Sequence, residues 1–191
     1  MKRKKANKKV LILGGAGFIG HNLALQLKKY KYNVYVLDSL KINNLKTIKK
    51  SRYYPNPKLS RQIVLERLRL LKKNKIKLII QNLNNLSKLK KVFHKIKPDI
   101  IFHLAAVSHA NKSNENPDES FQSNLVTLHN ALVCSSKYKI DRFVYISSSM
   151  VYGNFKSRSV SEDSTCKPIG MYGNYKISGE NITKAFNHVY K

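Results

Sequence analysis

An apolar run, Val10-Leu-Ile-Leu13, leads straight into Gly14-Gly-Ala-Gly-Phe-Ile-Gly20 and then into a helical pattern through Leu23, Leu25 and Leu27. A strand, a glycine-punctuated turn and a helix in that order form a unit that holds the pyrophosphate of a dinucleotide. Gly14 suits the tight turn, Gly17 lets phosphates approach the backbone, and Gly20 lets the helix pack closely on the strand. The start of the helix supplies free N–H groups and the positive end of the helix dipole to an anion. Such spacings also occur in ordinary turns; the strand before and the helix after give this one its meaning.

A second strand is expected over Tyr32–Asp38, ending in a carboxylate 24 residues beyond Gly14. An acid there is placed to accept hydrogen bonds from adenosine ribose hydroxyls, which favours NAD over NADP. Lys41 leaves the alternative open, since a nearby cation can tolerate a 2′-phosphate. After a polar, irregular stretch from Ser39 to about Pro57, Ser60 opens an amphipathic helix carrying Ile63, Val64, Leu65, Leu68 and Leu71, which reads as an insertion between the second and third strands. The third strand covers Ile76–Gln81, and the next helix stops at Lys97-Pro98. A fourth strand, from Pro98, runs into His103-Leu-Ala-Ala106, where small residues let a flat ring lie against the backbone. A helix from Asn116 carries Phe121, Leu125, Leu128 and Leu132, and the fifth strand, Ile140–Ser147, delivers Ser147, Ser148 and Ser149 at its end. The alternation predicts a parallel sheet wrapped by helices on both faces, with right-handed crossovers.

Tyr172 and Lys176 stand one helical turn apart in the last helix and so share a side. An isolated phenol titrates near 10, and a neighbouring ammonium favours its phenolate, which makes a base usable near neutrality. Ser148 is placed to share the proton of a substrate hydroxyl and to steady an oxyanion.

Composition sets bounds. The net charge of +27 admits a nucleic-acid or anionic-surface partner, but lysines outnumber arginines 30 to 7 and lie along most of the chain rather than in one patch. Residues 1–9 read as a basic, disordered lead-in, and residues 10–191 as one domain. Cys134 and Cys166 form neither a disulfide framework nor a metal pattern, no apolar stretch suits a membrane span, and a cytoplasmic location is expected.

In this order, the glycine loop, Asp38, His103-Leu-Ala-Ala106, Ser147-Ser-Ser-Met-Val-Tyr-Gly153 and Tyr172-Gly-Asn-Tyr-Lys176 with Ser178-Gly-Glu180 resemble the extended short-chain dehydrogenase/reductase superfamily, within it the NAD-dependent nucleotide-sugar epimerase/dehydratase family. The resemblance implies a Rossmann-like, doubly wound parallel sheet of order 3-2-1-4-5. It also implies catalytic roles for Ser148, Tyr172 and Lys176, the last binding the nicotinamide ribose and lowering the tyrosine pKa. The implied NAD contacts are Gly14, Gly17, Phe18, Ile19, Gly20, Asp38, Asn82, Leu83, Leu104, Ala105 and Ala106, together with Tyr172 and Lys176. Asn124 and Ser149 are implied as active-site support. Asn82 stands where the family usually has an Asp against adenine. Ser149 and Met150 replace the Asp-Glu pair of the 4,6-dehydratase branch, so an epimerase acting through a bound keto-sugar is preferred. The implied partners are a UDP-, GDP- or dTDP-linked sugar and a second copy through the helices near Phe121 and Tyr172. Members continue with strands and a substrate-gripping region beyond Lys191, so the chain reads as the cofactor half of such an enzyme. Two other readings stay open: an NAD-binding module without turnover, and a basic nucleic-acid binder.

Overall fold

The computed structural model describes residues 8–41, 45, 48, 55–107, 110–155 and 158–190. Most of the basic lead-in expected at the N-terminus therefore lies outside the described residues; Lys9 already belongs to the first strand. Five strands, β1 (Lys9–Leu13), β2 (Asn33–Asp38), β3 (Lys77–Ile80), β4 (Ile100–His103) and β5 (Arg142–Tyr145), pair in parallel in the order β3-β2-β1-β4-β5. Among the described residues seven α-helices accompany them: α1 (Phe18–Lys29), α2 (Pro57–Lys73), α3 (Leu86–Ile96), α4 (Ala110–Glu115), α5 (Pro117–Phe121), α6 (Thr127–Ser135) and α7 (Met171–Val189).

Strand side chains alternate between two cores, as period-2 geometry requires. Leu11, Leu13, Leu37 and Ile101 pack with Leu89, Phe93 and Ile96 of α3 and Ala131 and Cys134 of α6. On the opposite face Val10, Ile12, Val34 and Val36 pack with Ala24 of α1 and Leu71 of α2. Covering both faces is what permits such continuously apolar strands. It also leaves the carboxyl ends of the strands as the exposed rim on which loops assemble a site.

The sequence expectation that the helix before β3 opens at Ser60 needs correction. Pro57 takes the first turn, where its missing N–H costs nothing, and Asn56 accepts the Leu59 amide at 3.0 Å. Nor is this helix an insertion: it packs on α1 and β3 as the crossover between β2 and β3. Asparagine caps recur, Asn85 accepting the Lys88 amide at 2.9 Å to begin α3 and Asn116 the Glu119 amide at 3.0 Å to begin α5. Replacing Asn85 with Ala is expected to lower stability by about 1 kcal/mol, read as a shift of the urea midpoint at unchanged slope.

The helix expected from Asn116 is interrupted. Between α5 and α6 the chain winds one π-helical turn, Gln122–Val126, which places Asn124 inside the protein. Periodicity cannot anticipate a single inserted residue of this kind.

Candidate functional site

The loop between β1 and α1 turns on Gly14, whose φ of +78° and tight fit both exclude a side chain; a Cβ there would lie 2.6 Å from the Ala105 amide nitrogen. Gly20 is fixed by packing alone, its Cβ position falling 2.5 Å from Gly15 Cα. Gly17 differs from both. Its backbone (φ −70°, ψ 179°) is one that any residue adopts, and a Cβ would meet only Gly14 O at 3.4 Å. The protein itself does not require glycine there, yet Gly17 lines a cleft of about 870 Å³ at the N-terminus of α1. That helix has no capping side chain and no acid in its first turn, so its free N–H groups and positive dipole end are available to an anion in the cleft.

The cleft brings together Gly14, Gly17, Phe18, Ile19, Gly20 and Asp38 with Asn82 and Leu83 after β3 and Leu104, Ala105 and Ala106 after β4. Phe18 and Ile19 are largely exposed at its edge. The Asp38 carboxylate accepts the Ala16 amide at 3.0 Å on one oxygen and the Leu40 amide at 2.8 Å on the other. Burial raises its pKa from the ordinary range and the two amides pull it back. Asn82 folds its side chain onto its own turn, accepting the Asn84 amide at 3.0 Å.

One wall of this cleft was missed by sequence reasoning. Ser60, Ile63, Val64 and Arg67 of α2 line it, with the Arg67 guanidinium 5.5 Å from the centre of the Phe18 ring. The apolar stripe of α2 was legible, but not that its edge would turn toward the glycine loop.

Ser148, Tyr172 and Lys176 form a second group beyond the β5 end, outside the lining of that cleft. Tyr172 and Lys176 are both buried and face the same side of α7. Lys176 Nζ donates to Ile146 O at 2.7 Å, lies 4.9 Å from the centre of the Tyr145 ring and 5.7 Å from that of Tyr172. Burial pushes the Lys176 ammonium down to about 8. The Tyr172 phenol is raised, also by burial, and the group that opposes the rise is Ser148 through a hydrogen bond. The Lys176 ammonium is thus bonded to a carbonyl and lies over the rings of both Tyr145 and Tyr172.

α7 approaches the sheet closely because residue 179 is glycine; a Cβ there would strike the Tyr145 hydroxyl. One position further, Glu180 accepts a hydrogen bond from Ser147 Oγ and so ties α7 to the end of β5. Neither Tyr145 nor Glu180 stood out as a site residue in the sequence, although Glu180 closes the last motif. Ser149 is exposed in the short 3-10 turn that Ser148 begins. Asn124 donates to Ser120 O at 2.8 Å and Ser120 Oγ at 3.2 Å, so its amide is spent on α5 while its oxygen stays buried. Among the described residues no group of three or more His, Cys, Asp or Glu is arranged to hold a metal, and no helix is long and apolar enough to cross a membrane.

Five parallel strands in this order, with an open glycine loop at a helix start and an acid at the end of β2, define a dinucleotide-binding α/β protein. The chain belongs to the NAD dependent epimerase/dehydratase family, whose sequence model matches residues 10–191. It is 34% identical over 184 residues to UDP-glucuronate 4-epimerase 2 of Arabidopsis thaliana, covering 95% of this chain and 39% of that protein. It is 33% identical over 183 residues to Protein CapI of Staphylococcus aureus, covering 95% of this chain and 50% of that one. Among solved structures it resembles the UDP-glucuronic acid 4-epimerase of Bacillus cereus in complex with UDP-glucuronic acid and NAD, with a TM-score of 0.76 and 28% identity over 95% of this chain and 53% of that one. The chain thus spans about half the length, or less, of these relatives.

Proposed function

We propose that this chain binds NAD in the 870 Å³ cleft and supplies the proton-transfer groups for reversible oxidation of a nucleotide-linked sugar, as the first step of an epimerisation. The observation that carries the reading is the pairing of two features on one rim: a glycine at position 17 that the protein does not need, and a buried Tyr172 beside Ser148. A cradle that a Cβ would fill suits a pyrophosphate pressed against the backbone. Asp38 suits the adenosine ribose, and Leu104, Ala105 and Ala106 offer a flat apolar floor.

When bound, NAD supplies the hydride acceptor. Tyr172 takes the proton of a sugar hydroxyl as the C–H bond breaks and the carbonyl forms. Ser148 hydrogen-bonds the same oxygen and holds the phenol in line. Lys176, fixed by the Ile146 carbonyl, brings a positive charge to the same side of α7. In an epimerisation Tyr172 would give its proton back as the keto-sugar is reduced on its other face, leaving no net redox change. Similarity to relatives that act on UDP-glucuronate favours a UDP-linked sugar as the substrate. The faces of α5 and α7 that carry Phe121 beside Tyr175 suit contact with a second copy.

Incubation with NAD+ and a panel of UDP-, GDP- and dTDP-sugars tests this, read by NADH absorbance and by epimerised product. Bound NAD with neither signal for any sugar would reduce the reading to a binding module without turnover. Gly17→Val is expected to keep the fold, because its backbone angles and surroundings accept a side chain, and to weaken NAD binding about tenfold or more, measured by calorimetry.

A further inference from the structure

The sequence places a cation, Lys41, three residues beyond the ribose acid Asp38, where it is able to accept the 2′-phosphate that distinguishes NADP from NAD. The structure gives that cation another partner. Lys41 Nζ lies 3.0 Å from Glu119 Oε1, a pairing between the loop after β2 and helix α5. Asp38, Ser39, Lys41, Asn116 and Glu119 all line the cofactor cleft, so the ion pair joins its two lips at the end where Asp38 stands.

Both halves of the pair are held in place. Glu119 occupies the third position of α5: Asn116, which caps the helix, accepts its amide at 3.0 Å and donates Nδ2 to its Oε2 at 3.3 Å, leaving Oε1 for Lys41. On the other lip, Leu40 is in the left-handed region (φ +55°), with its amide on Asp38 Oδ1 at 2.8 Å, and the Lys41 amide donates to Ser39 Oγ at 3.2 Å. The turn that orients the ribose acid therefore also sets the path of Lys41.

We propose that Glu119 determines cofactor choice by acting through Lys41. Glu119 pairs with Lys41, so a 2′-phosphate drawn to Lys41 would have to displace Glu119 and then face two carboxylates, Asp38 and Glu119. The cleft thereby selects NAD over NADP by electrostatics contributed from an element 78 residues away from Lys41 in the chain. The proposal rests on the NAD reading above.

The test is calorimetric binding of NAD and of NADP to the full chain, as wild type, Glu119→Gln, Lys41→Gln and the double variant, in low salt where exposed charges are least screened. Gln at 119 keeps the backbone amide that Asn116 caps, so E119Q keeps α5. E119Q is expected to tighten NADP about three- to fivefold, the scale of one exposed ion pair, and to leave NAD within about twofold. Adding K41Q is expected to erase that gain. NADP affinity unchanged in E119Q, parallel changes for both dinucleotides, or a gain that survives K41Q would each overturn the proposal. A wild type that binds neither dinucleotide overturns the cofactor reading itself, and the proposal with it.

Discussion

Tyr172→Phe is expected to slow sugar oxidation by about a thousandfold while leaving NAD affinity within about twofold, because it removes the hydroxyl that would take the proton, and with it the bond to Ser148, but keeps the ring. Tyr172 is buried against α7's neighbours and Phe fills the same space, so thermal unfolding should move little. Burial raises the pKa of the phenol, and its hydrogen bond with Ser148 opposes that rise. Single-turnover NADH formation with the sugar found active in the panel is the measurement. A variant that keeps the wild-type rate would remove Tyr172 from the chemistry. Equal loss of NAD affinity would make it a binding residue instead.

A second large effect concerns acid stability. His103, at the end of β4, is fully buried between Phe143 and Tyr145, with neither ring nitrogen in a hydrogen bond of good geometry. Burial, reinforced by the nearby Lys176 ammonium, pushes its pKa down to about 3. The folded protein therefore keeps His103 neutral where the unfolded chain, titrating near 6.5, binds a proton. Stability from this group is complete above about pH 6.5 and falls as pH drops toward 3, because the unfolded state then binds the extra proton. The slope is about 1.4 kcal/mol per pH unit, or about 2.7 kcal/mol by pH 4.5. Asp38, whose pKa burial raises, works in the opposite sense, so the comparison must isolate one group. His103→Leu is expected to flatten the fall in urea midpoint between pH 7 and 4.5 by about that amount. An identical pH dependence in the variant would show that His103 is not the group responsible.

Much of the architecture was legible because it depends on local rules. The β1 run, the loop glycines and Asp38 lie within one βαβ unit, whose spacing is set by strand rise, helix length and the close packing of Gly20 on Gly15. The four-residue interval from Tyr172 to Lys176 likewise forces both onto one side of α7. The start of α2 was misplaced because Pro57 reads as a breaker in sequence, whereas at the first helical position it breaks no bond. The π turn at Gln122–Val126 was invisible because it shifts the helical phase by a single residue.

What the sequence determined by itself is the order of strands and helices, the family, and which residue types stand at the carboxyl ends of the strands. The order and the residue types follow from periodicity and spacing, which are properties of neighbours along the chain; the family follows from the resemblance of the motifs. Only the tertiary structure decided what each group faces: that Arg67 of α2 walls the glycine loop, that Lys176 turns to the Ile146 carbonyl and Tyr145, and that Lys41 is taken by Glu119. Charge and pKa depend on through-space distance and burial, and those are fixed only when remote segments pack together.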